Sequence, residues 1–201
     1  MFQDQYTKLS GKDTKTALTE FNALFEGSAF PETSIIMRRP LVFYPDYWFY
    51  DVADHQTMPP RRRFLIVKGQ DVTVLDGRAE TVLGLNKRIG LRLNELNVLD
   101  YVQFYLAFVR GPRGRMVLVE SLDDIPWRDE PSPAARKAIG KMVSALDLVR
   151  SVDGSYQSKA QLIFADGLYE VDLKLSVDGA LEFKEPKMLI EDMPVLDDLL
   201  A

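Results

Sequence analysis

The chain has no cysteine and one histidine, His55, among its 201 residues. These two scarcities exclude more than any motif includes. Without cysteine there is no thiolate nucleophile, no disulfide and no cysteine-held zinc. Histidine is the side chain whose ordinary pKa lies near neutrality, and it is the commonest general base and metal ligand. A Ser-His-Asp arrangement would therefore have to run through His55. Neither the G-x-S-x-G elbow nor a Gly-rich phosphate loop is present. No apolar run reaches the roughly 18 residues of a membrane helix. The opening MFQDQYTKLSGKDTKT is polar and lacks the apolar centre of a secretory signal. Together with the missing cysteine, this gives the expectation of a cytoplasmic protein.

What remains is ordinary globular material, 46% hydrophobic and 27% charged. The net charge of −5 is unevenly placed: residues 1–60 carry −3, residues 61–120 carry +5 and residues 121–201 carry −7. A basic middle either attracts an anion or pairs with the acidic ends. The pI near 5.0 argues against a nucleic-acid partner.

Periodicity predicts an α+β protein built of antiparallel sheet or sheets. Ala17, Leu18, Phe21, Leu24 and Phe25 form one stripe of an amphipathic N-terminal helix over 14–26, with Asp13 as its cap. Residues 34–52 read as extended, and six of the ten residues from 41 to 50 are aromatic. Pro45 predicts a break there. Residues 55–63, with two prolines and three arginines, predict a loop. Strands follow at 64–67 and 72–75, then an ambiguous stretch at 81–93. A largely buried central helix is expected over 98–110, with Asn97 and Asp100 as a capping-box variant. Further expectations are a strand at 115–120 and a helix at 133–148 started by Ser132-Pro133. The end reads as a C-terminal β-meander over 156–165, 168–177 and 180–183, turning at Asp166-Gly167 and Asp178-Gly179. The tail 190–201 is expected as a short helix or loose chain. One domain over 1–201 is the preferred organisation, with a split within 127–133 as the alternative.

Candidate sites come in three groups. Arginines bind carboxylates and phosphates with paired donors. Arg61, Arg62 and Arg63 form one cluster. Arg110, Arg113 and Arg115 frame a glycine-bearing turn, Gly111 to Gly114, whose amides are offered as further anion donors. Tyr47, Trp48 and Tyr50 form an aromatic surface suited to a ligand or a partner protein. Asp51, Asp54 and His55 are a weak alternative for metal, since a stable site needs three or four well-placed ligands; no metal and no cofactor is expected.

The expected function is therefore binding without catalysis: a homo-oligomer or a protein with a partner, holding a small anion through arginines. The alternative is a hydrolase that uses two carboxylates on a small polar substrate or a glycan. That enzyme predicts a deep pocket with convergent charges. A binding module predicts a flat apolar face around Tyr47, Trp48 and Tyr50, or a two-fold partner seated there.

Overall fold

A computed structural model of the chain describes residues 6–25, 27–111 and 114–196. The architecture is α+β, as the periodicity predicts. Two compact units divide at Asp76 and Gly77, and residues 127–133 lie inside the second.

The N-terminal unit is a five-stranded antiparallel sheet with one helix. Its elements are β1 (Thr7–Lys8), α1 (Gly11–Asn22), β2 (Ile35–Pro40), β3 (Trp48–Asp54), β4 (Arg61–Lys68) and β5 (Asp71–Leu75), and the strands lie in sequence order. Ala17, Leu18 and Phe21 of α1, with Phe25 just beyond it, pack on Ile36, Val52 and Leu65. The expected stripe holds at Ala17, Leu18, Phe21 and Phe25 but not at Leu24, which is exposed just past the helix end, and the helix sits earlier than expected. Ser10 takes the cap position with extended backbone, and Asp13 falls in the first turn, where the helix dipole favours an acid. The expected helix end at Glu26 lies outside the described residues. Asn22 clamps the returning loop: its Nδ2 donates to Phe30 O at 2.9 Å, and Phe30 N donates to its Oδ1 at 2.7 Å.

The aromatic run breaks between β2 and β3, with Pro45 in the connecting turn. The expected loop over 55–63 is shorter than its composition implies. Arg61, Arg62 and Arg63 open β4, paired with Asp54, Ala53 and Val52. Their extended backbone comes from pairing with β3, a non-local interaction that local composition does not report.

The C-terminal unit carries α2 (Ala79–Ile89), α3 (Val98–Phe108), β6 (Met116–Leu118), α4 (Pro133–Gly140), β7 (Val149–Arg150), β8 (Tyr156–Phe164), β9 (Gly167–Leu175) and β10 (Leu181–Ile190). Its antiparallel sheet runs β10-β9-β8-β6, with β7 also on β8. The ambiguous stretch is helical only to Ile89: α2 ends on Gly90, whose left-handed backbone (φ 75°) lets its N–H reach Asn86 O, and residues 91–93 leave the helix. Helix α3 buries Val98, Tyr101, Val102, Phe104, Tyr105 and Leu106 and packs on β6. Asn97 stands at its cap position, but its side chain makes no cap bond; instead Oδ1 accepts from Asn94 N at 2.8 Å.

Helix α4 stops at Gly140, half the expected length, because Met142 is exposed and the stripe does not continue. Glycine is also a poor helix residue at that point. The described part of the tail, residues 190–196, docks neither as a helix nor loosely. Met193 and Val195 are buried in a second core with Ile125, Ile139, Ile163 and Leu168, and Met193 N donates to Asp166 O at 2.7 Å. Residues 197–201 of the expected tail lie outside the described residues.

One turn departs from its expected chemistry. Phe164 pairs with Gly167, so the hairpin turn is Ala165-Asp166, and Ala165 carries the positive φ of 49°. Gly167 serves close approach: a Cβ there would sit 2.7 Å from the Tyr169 ring. A left-handed alanine costs about 1–2 kcal/mol, and glycine gives back only about 0.5–1 kcal/mol of the gain through its freer unfolded chain. Ala165→Gly is therefore expected to stabilise by about 0.5–1 kcal/mol. A thermal melt should show a rise of a few degrees.

Candidate functional site

In a strand, successive side chains point to opposite faces. That alternation distributes most of the candidates. Arg38 of β2, Trp48, Tyr50, Val52 and Asp54 of β3, and Arg61 and Arg63 of β4 are on the α1 side. Arg39, Phe49, Asp51 and Arg62 are on the other.

The first arginine cluster is consequently split. Arg61 donates to Ser28 O at 3.3 Å and Ala29 O at 2.7 Å, lies 3.5 Å from Asp54, and covers the Phe30 ring. It fastens the loop after α1. Arg62 grips buried Asp51 with two donors, Nε at 3.2 Å and Nη2, and lies over Phe64. Burial works against the Arg62 charge, but the bond and the charge of Asp51 outweigh it and hold the guanidinium above its usual pKa. On the same face, burial pushes the Tyr6 hydroxyl above its ordinary range, and the Asp51 charge adds to this. Arg63 is exposed and donates to the Arg62 carbonyl at 3.0 Å.

The same alternation separates the metal alternative. Asp51 and Asp54 face opposite sides of the sheet, and His55 lies exposed in the turn beyond. Asp54 Oδ1 accepts from Gln56 N at 3.0 Å. No group of three histidines or carboxylates able to hold a metal occurs among the described residues.

In the C-terminal unit, the amides of Gly111 and Gly114 are already taken. Gly111 N donates to Gly114 O at 2.8 Å, and Gly114 N donates back to Gly111 O at 3.0 Å. Arg110 is bound through its own N–H to Gly77 O at 2.8 Å, and its stem lies against Gly77. Arg115 is half-buried just before β6, and Arg113 lies outside the described residues.

Two of the three aromatic candidates do converge. Trp48 and Tyr50 line a cleft of about 520 Å³ between α1 and the sheet. Tyr47 stands apart: its hydroxyl donates to Asp71 Oδ2 at 2.6 Å, and Lys68 lies 5.5 Å over its ring. The expected flat face is thus a groove with half-buried rings. Tyr50 meets Phe21 edge-on at 5.2 Å, which joins the cleft to the core.

The cleft also holds an arginine that sequence reasoning passed over. Arg38 lies 4.5 Å above the Trp48 ring. Its Nε is buried without a hydrogen-bond partner, and no ion pair or hydrogen bond joins its guanidinium to another described residue. The contact depends on register: Arg38 pairs with Tyr50 and Pro40 with Trp48, so Arg38 and Trp48 are diagonal neighbours. Ten residues separate them in the chain, and only the strand pairing brings them together.

The remaining cleft wall is charged with both signs. Lys12, Asp13 and Glu20 come from α1, and Asp46 and Lys68 form an ion pair at 3.0 Å. No described helix is long and apolar enough to cross a membrane. No protein-family model, no curated protein and no solved structure matches the chain.

Proposed function

We propose that the chain is a binding protein and that the cleft under α1 holds the anionic group of a small ligand on Arg38. One observation carries this reading. Arg61 and Arg62 are ion-paired, whereas Arg38 stacks on Trp48 in a cleft with its donors unclaimed by described residues. A guanidinium stacked on an aromatic ring is held in place, so little freedom is lost when it grips a carboxylate or phosphate. The volume lies within the roughly 300–1,000 Å³ of small-molecule sites.

Arg38→Met keeps an apolar stem on Trp48 and removes the donors. Hydrogen bonds to charged groups contribute about 1.5–3 kcal/mol, so anion affinity should fall at least tenfold. Arg63→Met, on the same face but outside the cleft, should leave affinity unchanged. Trp48 fluorescence, read in a Trp127→Phe background while phosphate or acetate is added, measures both. Equal affinity in Arg38→Met and the parent would refute the assignment.

The hydrolase alternative keeps one supporting observation: carboxylates do line the cleft. Their placement favours binding. Asp13 and Glu20 are seven residues apart on one helix, so their backbones lie about 10.5 Å apart along the same wall. A glycosidase needs its two acids on opposite sides of the scissile bond. Asp46 is already paired with Lys68. Turnover of a chromogenic glycoside that vanished in Glu20→Gln would move the chain to the catalytic class.

A further inference from the structure

The sign of the cleft as a whole narrows the ligand. Lys12, Arg38 and Lys68 supply three positive charges, and Asp13, Glu20 and Asp46 supply three negative ones. With Lys68 and Asp46 paired to each other, Arg38 and Lys12 remain against Asp13 and Glu20. Glu20 has no basic neighbour at helical spacing: Thr16, Ala17, Ala23 and Leu24 fill the positions three and four residues away. Around Asp13, the same positions hold Leu9, Ser10, Thr16 and Ala17. Neither acid is ion-paired with a described residue. A ligand carrying negative charge alone would gain from Arg38 and be opposed by these two acids. A ligand with charges of both signs gains from both walls.

We infer that the ligand is zwitterionic, an amino acid or short peptide with an apolar side chain. This rests on the assignment of Arg38 as the anion site. The carboxylate lies on Arg38, the ammonium group faces Glu20 and Asp13, and the side chain lies over the apolar floor of Tyr50 and Phe21. Complementary charge at both ends sets orientation as well as affinity. Neither an uncharged sugar nor a polyphosphate would satisfy this arrangement.

The test is a calorimetric titration of the full chain with four probes: the dipeptide Ala-Phe with free termini, its N-acetyl form, its C-terminal amide, and inorganic phosphate. The free dipeptide should bind most tightly, with both blocked forms at least tenfold weaker. Glu20→Gln should weaken the free dipeptide severalfold and leave the acetylated form unchanged. Equal binding of free and acetylated dipeptide, both lost in Arg38→Met, would overturn the zwitterion and keep the anion site. Phosphate binding with no dipeptide binding would do the same. Binding of any probe that is indifferent to Arg38→Met, or no heat from any of the four, would overturn both.

Discussion

Replacing Gly179 by alanine should cost the C-terminal unit about 3 kcal/mol or more, among the largest effects a single methyl can have. Two independent causes add. Gly179 has φ 87°, a left-handed backbone that costs an alanine about 1 kcal/mol or more. The new Cβ would also overlap Asn86 Nδ2 and the Tyr101 hydroxyl and stand 2.7 Å from Leu91 Cδ2. Those groups cannot retreat, because Asn86 is 3% exposed and Tyr101 is fully buried. They are also mutually bonded. Tyr101 donates to Gly179 O at 2.8 Å, while Asn86 Nδ2 donates to the Tyr101 oxygen at 2.7 Å and to Asp178 O at 2.8 Å. Burial pushes the Tyr101 hydroxyl well above its ordinary pKa, so it remains a donor across the usual pH range. The turn between β9 and β10 is thereby locked onto α2 and α3. Tyr101→Phe removes one donor, keeps the volume, and should cost only about 1–3 kcal/mol. Chemical denaturation of both variants checks the order. A Gly179→Ala midpoint as mild as that of Tyr101→Phe would show that the turn can shift aside.

That lock illustrates which features could be read from the sequence. Asp178-Gly179 announces a hairpin because glycine is needed at positive φ, and the strand alternation around it is local. Its contact with Asn86 and Tyr101 spans 92 and 78 residues, and no local pattern encodes such a partner. The helices behave alike. The apolar stripes of α1 and α3 are visible as periodicity, whereas their ends depend on neighbours. Composition also misjudged residues 55–63, since proline and arginine signal a loop while pairing to β3 makes Arg61 to Arg63 a strand. At the candidate site, Trp48 and Tyr50 were legible as an aromatic cluster. Arg38 was not, because a cation becomes notable only when its partners are known. Clustering in sequence favoured Arg61, Arg62 and Arg63, and clustered charges on a strand are divided between two faces.

The N-terminal unit offers a second large effect. Phe21→Ala should destabilise it by about 3–5 kcal/mol, the usual cost of emptying a buried phenylalanine site. Phe21 is 2% exposed, lies in the cluster between α1 and the sheet, and meets Tyr50 edge-on. Leu24→Ala, in the turn just after the same helix, is the control. Leu24 is 48% exposed, so its loss should stay within about 0.5 kcal/mol. The chain has two tryptophans, Trp48 in this unit and Trp127 in the other. Fluorescence in a Trp127→Phe background therefore reports the N-terminal unit alone. A midpoint for Phe21→Ala close to that of Leu24→Ala would mean that α1 is not held by this face. Because Phe21 also lines the cleft, its truncation should also weaken the proposed ligand binding by loosening the wall that carries Glu20. Phe21→Leu separates the two causes. It preserves most of the volume, so the unit stays folded, and Arg38 stays stacked on Trp48. Anion affinity should then survive in Phe21→Leu and fail in Arg38→Met. That difference distinguishes a cleft that binds through its guanidinium from one that merely needs an intact core.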